Sequence, residues 1–182
     1  DGTDAVMLSQ ESAAGSWPVK AVEAMARICV GAEKQFIADT DFEAAPRGLE
    51  RADQAIAMAT MFLSEHIGVR GVVAMTESGG TARFLSRFRS AVPIFAFSRH
   101  APARRKMALM RDVFPMDYDS RGQTPREAAR GSIRLLVDAD LLHPGDRVVF
   151  TSGEHMETRG ATNTLRLLQV GQDGHAEGLG EL

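Results

Sequence analysis

The sequence lacks the features that define several large protein classes. It has one cysteine, Cys29, so no internal disulfide framework can form and a reducing cytoplasm is the expected setting. No apolar run approaches the roughly 20 residues that span a bilayer, and no basic segment followed by an apolar one opens the chain. No membrane partner is expected. Positive charge is not in excess: 21 Lys and Arg against 24 Asp and Glu leave a net charge of -3. That balance argues against a dedicated nucleic-acid binder. The histidines, His66, His100, His143, His155 and His175, are scattered and give no zinc-site spacing. His155 lies near Glu154 and Glu157, but the second histidine of a metal motif is missing. Ser9, Glu11 and Ser12 cluster early with no histidine partner for a nucleophilic triad. There is no GxxxxGK[ST] loop and hence no Walker-type nucleotide site. No internal repeat is present.

What the chain does have is the composition of a packed globular protein, with 44% hydrophobic and 25% charged residues. Its 182 residues suit one domain, or one domain plus part of another. Ala5-Val6-Met7-Leu8, closed by a Ser-rich loop, reads as a buried parallel strand, although nothing precedes it as a neighbour. A helix starts at Pro18, with Val19, Val22, Met25, Ala26, Cys29 and Val30 at helical spacing. The polar stretch from Ala38 to Gly48 breaks the pattern and reads as a linker.

Beyond it the pattern is regular. Ala55, Met58, Ala59 and Leu63 stripe a helix ending near Gly68. Strands are expected over 71–75, 93–97, 113–116, 147–153 and 162–170, with helices over 80–89, 103–111 and 124–142. Thr124 is placed as an N-cap and Pro125 as the first helical residue. This alternation implies an α/β fold: a mainly parallel five-stranded sheet with helices on both faces. The last two strands have no helix between them, so the final strand should run antiparallel, at or near an edge.

Two loops stand out for chemistry. "TESGGTA", residues 76–82, joins a buried strand to a helix. Its hydroxyls, its glycines and the helix N-terminus make a phosphate cradle by physical type, although an ordinary capped turn reads the same locally. Glu77 opposes a phosphate unless it points away. "TSGEHMETRGATNT", residues 151–164, follows a strand at the same end of the sheet and offers Ser152, Thr158, Arg159 and Thr162 as donors. A glycine-containing hairpin loop is the plain alternative. The basic run Arg99, His100, Arg104, Arg105, Lys106 has no aromatic stacking platform and reads as a solvated face.

The opening stretch, "DGTDAVMLSQESAAGSWPVKAVEAMARIC", resembles a late barrel segment of pyruvate kinases. "TESGGTARFLSRFRSAVPIFAFSRH" and "GDRVVFTSGEHMETRGATNTLRLLQV" are similar to the first strand-turn-helix and the closing hairpin of that family's C-terminal domain. The resemblance, closest to bacterial enzymes activated by AMP or sugar monophosphates, implies the following organisation. Residues 1–38 would be a strand-loop-helix remnant of a (β/α)8 catalytic barrel, 39–48 a linker, 49–171 the allosteric and oligomerisation domain, and 172–182 a flexible tail. The family transfers phosphate from phosphoenolpyruvate to ADP, with Mg2+ or Mn2+ and K+. Its metal carboxylates, catalytic lysine and phosphate-binding arginine would lie upstream of Asp1, so this chain is expected to be inactive alone and to bind no metal. Only Ser9 and Glu11 match positions near the active site. The effector phosphate would be held by Thr76, Ser78, Gly79, Gly80 and Thr81, with Ser152, Gly153, Arg159, Gly160 and Thr162 closing from the other loop. Glu77 would disfavour a bisphosphate, and Arg126 is the one weak stand-in for a second-phosphate ligand. The family is tetrameric, and the last strand would be a natural pairing edge through which the chain alone could form a dimer. A free-standing phosphate-binding module and a pure oligomerisation domain with a dead pocket are the competing readings.

Overall fold

The computed structural model describes residues 3–34, 49–88, 90–154 and 158–178. The expected linker over 39–48, together with His155 and Glu157, lies outside the described residues. The chain divides into two units, residues 1–39 and 40–182.

The first unit holds a one-turn helix α1 (Gln10–Ala13) and a long helix α2 (Pro18–Lys34). Pro18 opens α2, as its fixed φ and missing N–H favour. The strand expected over 5–8 is not formed: these residues carry no ladder pairing, and Met7 is 85% exposed. A parallel strand without a neighbour leaves its backbone groups to water, so nothing holds it extended. No described residue of this unit is buried, and Val19, Val22 and Val30 are exposed.

The second unit is an open α/β sheet. In chain order it contains α3 (Ala52–Ile67), β1 (Gly71–Met75), α4 (Gly80–Leu85), β2 (Ile94–Ser98), α5 (Ala101–Met107) and β3 (Val113–Asp117). It continues with α6 (Pro125–Asp138), β4 (Arg147–Gly153), β5 (Thr162–Val170) and the two-residue β6 (Ala176–Glu177). The sheet order is β3-β2-β1-β4-β5-β6. β1 pairs in parallel with β2 and β4, and β2 with β3, whereas β5 runs antiparallel to β4. The antiparallel fifth strand is as expected. The sixth strand is an addition to the five expected: β6 pairs antiparallel with the end of β5, Val170 opposite Ala176. Gly171–Gly174 forms a tight turn that returns the chain, which the Gly-rich composition of this stretch concealed.

Strand residues alternate between two cores, as the period of two requires. Val73, Met75, Phe95, Phe97, Val148 and Phe150 face α6, meeting Ala129, Ile133 and Leu136. Val72, Ala74, Ile94 and Ala96 face the other way, against Ala57 and Met61 of α3, Ala82 and Leu85 of α4, and Met107 of α5. The sheet grows from β1 to β3 in one direction and then resumes with β4 on the far side of β1. Right-handed crossovers put the helices on opposite faces when the direction reverses, which is why α6 covers the other face from α4 and α5.

α6 is fixed by a capping box. Thr124 Oγ1 accepts from the Glu127 N–H at 3.3 Å, and Glu127 Oε2 accepts from the Thr124 N–H at 2.7 Å. α3 departs from the expected stripe. Its buried face is Asp53, Ala57, Thr60, Met61 and Ser64, while Ala55 and Ala59 are exposed. The helix is apolar on most of its circumference, so periodicity alone does not select a face. The face is selected by what it meets: Ala57 and Met61 pack against Val72, Ala74, Ala82 and Leu85.

Candidate functional site

The reversal of strand order between β1 and β4 opens a crevice beyond their carboxyl ends, the place where open α/β sheets bind ligands. The β1–α4 loop and the β4–β5 loop meet there and enclose a cavity of about 420 Å³. That is within the size range of small-molecule sites, roughly 300–1,000 Å³.

From the first loop the wall takes Thr76, Ser78, Gly80 and Thr81; from the second, Gly153, Thr158, Arg159, Gly160 and Thr162. The two loops are tied together directly: Thr81 Oγ1 and Thr162 Oγ1 lie 2.7 Å apart, both side chains buried. One hydroxyl hydrogen makes that bond and the other remains to donate. Thr76 Oγ1 accepts from the Gly79 N–H at 3.0 Å, which folds the first loop onto itself. Gly79 has φ +85, and a Cβ there would stand 2.9 Å from Met107 Cγ, so the turn needs glycine. Gly79 therefore shapes the loop without lining the cavity. Ser152 does not reach the cavity; it is buried in β4, and its hydroxyl has no hydrogen-bond partner among the described residues. Arg126 stands on α6, outside the cavity wall.

Glu77 is disarmed rather than opposed to an anion. Its Oε2 accepts from His100 Nε2 at 2.6 Å and from Arg99 Nη2 at 3.1 Å, which turns the charge toward the β2–α5 connection. Burial pushes the Glu77 carboxyl up, but the hydrogen bonds from Arg99 and His100 outweigh it and hold the group below its ordinary value. The same contacts dissolve the basic run as a patch, since Arg104 Nη1 also binds Asp117 Oδ1 at 2.8 Å.

Four polar wall residues were not picked out by sequence pattern: Arg51, Asp53, Gln54 and Arg83. Asp53 is 3% exposed and is gripped by Arg51, whose Nε and Nη2 donate to Oδ1 and Oδ2 at 2.9 and 2.6 Å. The Arg51 hydrogen bond holds the Asp53 carboxyl below its ordinary value against the opposing effect of burial. The signal available was its helical phase: Asp53 lies four residues before Ala57 and eight before Met61, on the buried face. With Asp53 and Glu77 both neutralised, Arg83 and Arg159 remain in the wall with no carboxylate partner among the described residues. The cleft thus has a surplus of positive charge beside several hydroxyl donors.

Ser9 and Glu11 belong to the first unit, where the Ser9 N–H donates to Glu11 Oε2 at 3.3 Å. Glu11 borders a shallow hollow with Trp17 and Lys20, whose Nζ sits 4.8 Å from the indole centroid. Among the described residues no group of His, Cys, Asp or Glu could hold a metal ion, and no helix is long and apolar enough to cross a membrane. The described residues thus do not fit a divalent-cation site.

The fold and cleft define a doubly covered α/β domain with a crevice lined by hydroxyls and arginines at its topological switch point. A family model described as "Pyruvate kinase, alpha/beta domain" matches residues 54–168, more than half of the chain. The chain belongs to the pyruvate kinase family and corresponds to the C-terminal α/β part of such an enzyme. It is 44% identical over 171 residues to pyruvate kinase II of Salmonella typhimurium, covering 93% of this chain and 35% of that protein. Identity is 39% to a Buchnera aphidicola pyruvate kinase, with 93% and 36% covered, and 36% to that of Haemophilus influenzae, with 93% and 35% covered. The chain spans about a third of the length of these curated relatives.

Proposed function

We propose that this chain is the regulatory and subunit-pairing part of a pyruvate kinase, and that its switch-point cleft binds a phosphate-bearing effector. The observation that carries this reading is the cleft itself. Two loops joined by the Thr81–Thr162 hydrogen bond surround a cavity with several hydroxyl donors and two arginines, Arg83 and Arg159, that no described carboxylate neutralises. A phosphate monoester is the ligand class this donor set suits. One cluster of donors, with Glu77 engaged beside it, favours a monophosphate such as AMP or a sugar monophosphate over a bisphosphate.

The whole protein would transfer a phosphoryl group between phosphoenolpyruvate and ADP in the cytoplasm, with Mg2+ or Mn2+ and K+ held elsewhere than in the residues described here. Ser9 and Glu11 would border that active site. The pairing role rests on β5. Beyond β6, which covers only Gln169 and Val170, the outer edge of β5 has no ladder partner among the described residues. An open edge of this length is a natural pairing element and suits a dimer of this chain, while a tetramer of the whole enzyme is what the family resemblance implies.

Calorimetric titration of the chain with ribose 5-phosphate, AMP, glucose 6-phosphate and fructose 1,6-bisphosphate tests the effector reading. A monophosphate should bind, and Thr81→Ala should weaken it about tenfold. Failure of all four to bind would overturn it.

A further inference from the structure

Resting on the reading of the cleft as a ligand site, we infer that Arg51, clamped by Asp53, is a positioning residue. Its guanidinium is the seat on which the β4–β5 loop turns at Gly160, and it holds the loop's donors, Arg159 and Thr162, in place for a ligand. The starting point is a carboxylate in a cavity wall that otherwise suits an anion. Asp53 is 3% exposed, and a buried carboxylate is costly unless its acceptor capacity is filled.

Here it is filled from within. The backbone N–H groups of Asp53 and Gln54, in the open first turn of α3, donate to the carboxylate. Arg51 Nε and Nη2 donate to Oδ1 and Oδ2 at 2.9 and 2.6 Å. Asp53 is thus occupied by its own neighbourhood, and what it does there is fix Arg51. Ordinary surface ion pairs fix little, because both partners are mobile. This pair differs: the Arg51 side chain is 56% exposed, but its two-pronged grip falls on a buried carboxylate anchored to a helix start. The guanidinium is held in one plane.

What it is held against is the second loop. Gly160 has φ +70, and a Cβ there would stand 2.9 Å from Arg51 Nη2 and 3.8 Å from Asp53 Oδ2. The guanidinium occupies the space of the missing side chain, so glycine at this position serves both the left-handed turn and the close approach. Two residues further on, the Thr81–Thr162 hydrogen bond ties the loop to its neighbour. The loop therefore rests on two supports, one from α3 and one from α4. Arg159 adjoins the first and Thr162 makes the second.

The test applies limited trypsin digestion and calorimetric titration to the full chain and to Asp53→Asn, which keeps the Arg51 charge but loosens its hold. Arg121–Gly122 is a second exposed Arg–Gly bond, with φ +70 at the glycine, and serves as the internal control. The ratio of cleavage after Arg159 to cleavage after Arg121 cancels any change in global stability, and it should rise about fivefold in the variant. AMP, ribose 5-phosphate or glucose 6-phosphate, whichever binds the wild type, should bind the variant about fivefold more weakly, although the substitution removes a negative charge from the wall. Unchanged or tighter binding would make Arg51 a plain cation of the wall and overturn the inference. So would an unchanged cleavage ratio. Arg51→Lys keeps the charge without the two-pronged grip and should reproduce both effects. If Asp53→Asn does not fold, Arg51→Lys decides by the same two criteria. A wild-type chain that binds none of the three phosphates defeats the reading of the cleft, and the cleavage ratio then upholds or overturns the seating of the loop by itself.

Discussion

α2 and α6 are both amphipathic helices started by a proline, and they meet opposite outcomes. α6 buries Ala128, Ala129, Ile133 and Leu136 completely, whereas α2 buries nothing and leaves Val19 at 68% and Ile28 at 65% exposed. The difference does not lie in the pattern. α6 has a sheet face to receive it, with Phe97, Val148 and Phe150 at its contact. The described residues of the first unit form no sheet, because its one strand-like segment has no ladder partner among them. Periodicity offers a face, and only a second layer of matching shape buries it.

The largest expected break between the two regions comes from core truncation. Phe150→Ala should cost about 3–5 kcal/mol in urea denaturation, because Phe150 is fully buried. Val22→Ala in α2 should change the same transition by less than about 0.5 kcal/mol. Comparable losses in both would show that α2 is packed in solution.

A pair of glycine substitutions sharpens the contrast, because the signs differ. Gly31 in α2 has nothing within 4 Å of a built Cβ, so Gly31→Ala should raise helix stability by about 0.5–1 kcal/mol. Gly131 in α6 sits against the Tyr118 hydroxyl, and that ring is held by a 2.8 Å bond to Gln123 and edge contact with Phe97. Overpacking there costs about 1–3 kcal/mol, which outweighs the propensity gain. Gly131→Ala should therefore lower the unfolding midpoint while Gly31→Ala raises helicity by circular dichroism.

The smallest effect is electrostatic. Glu77 is held below its ordinary carboxyl value of 4.5, so its contribution is present above that value and lost as pH falls through the lower folded-state value. The second unit should lose stability as pH falls below 4.5 and through the lower folded-state value. Glu77→Gln should make that fall shallower, and an unchanged slope would show that the Arg99–His100 contacts contribute nothing to folding.

Much of this was legible in advance. The strands of the sheet domain, the Thr124 cap, the antiparallel β5 and both cleft loops follow from apolar runs, proline and glycine placement, and clustered hydroxyls. Those signals are local: each depends on a few neighbouring residues and on backbone chemistry that acts over one or two turns. Long-range partnership was not legible. The buried face of α3, the grip of Arg51 on Asp53, the engagement of Glu77 by Arg99 and His100, and the turn that brings β6 onto β5 all join residues by their position in the fold. The sequence by itself determined where helices and strands begin and what chemistry their loops could offer. Only the tertiary structure decided which charges are neutralised and which helix face is buried, because burial and ion pairing depend on distances that the chain acquires only when the layers pack.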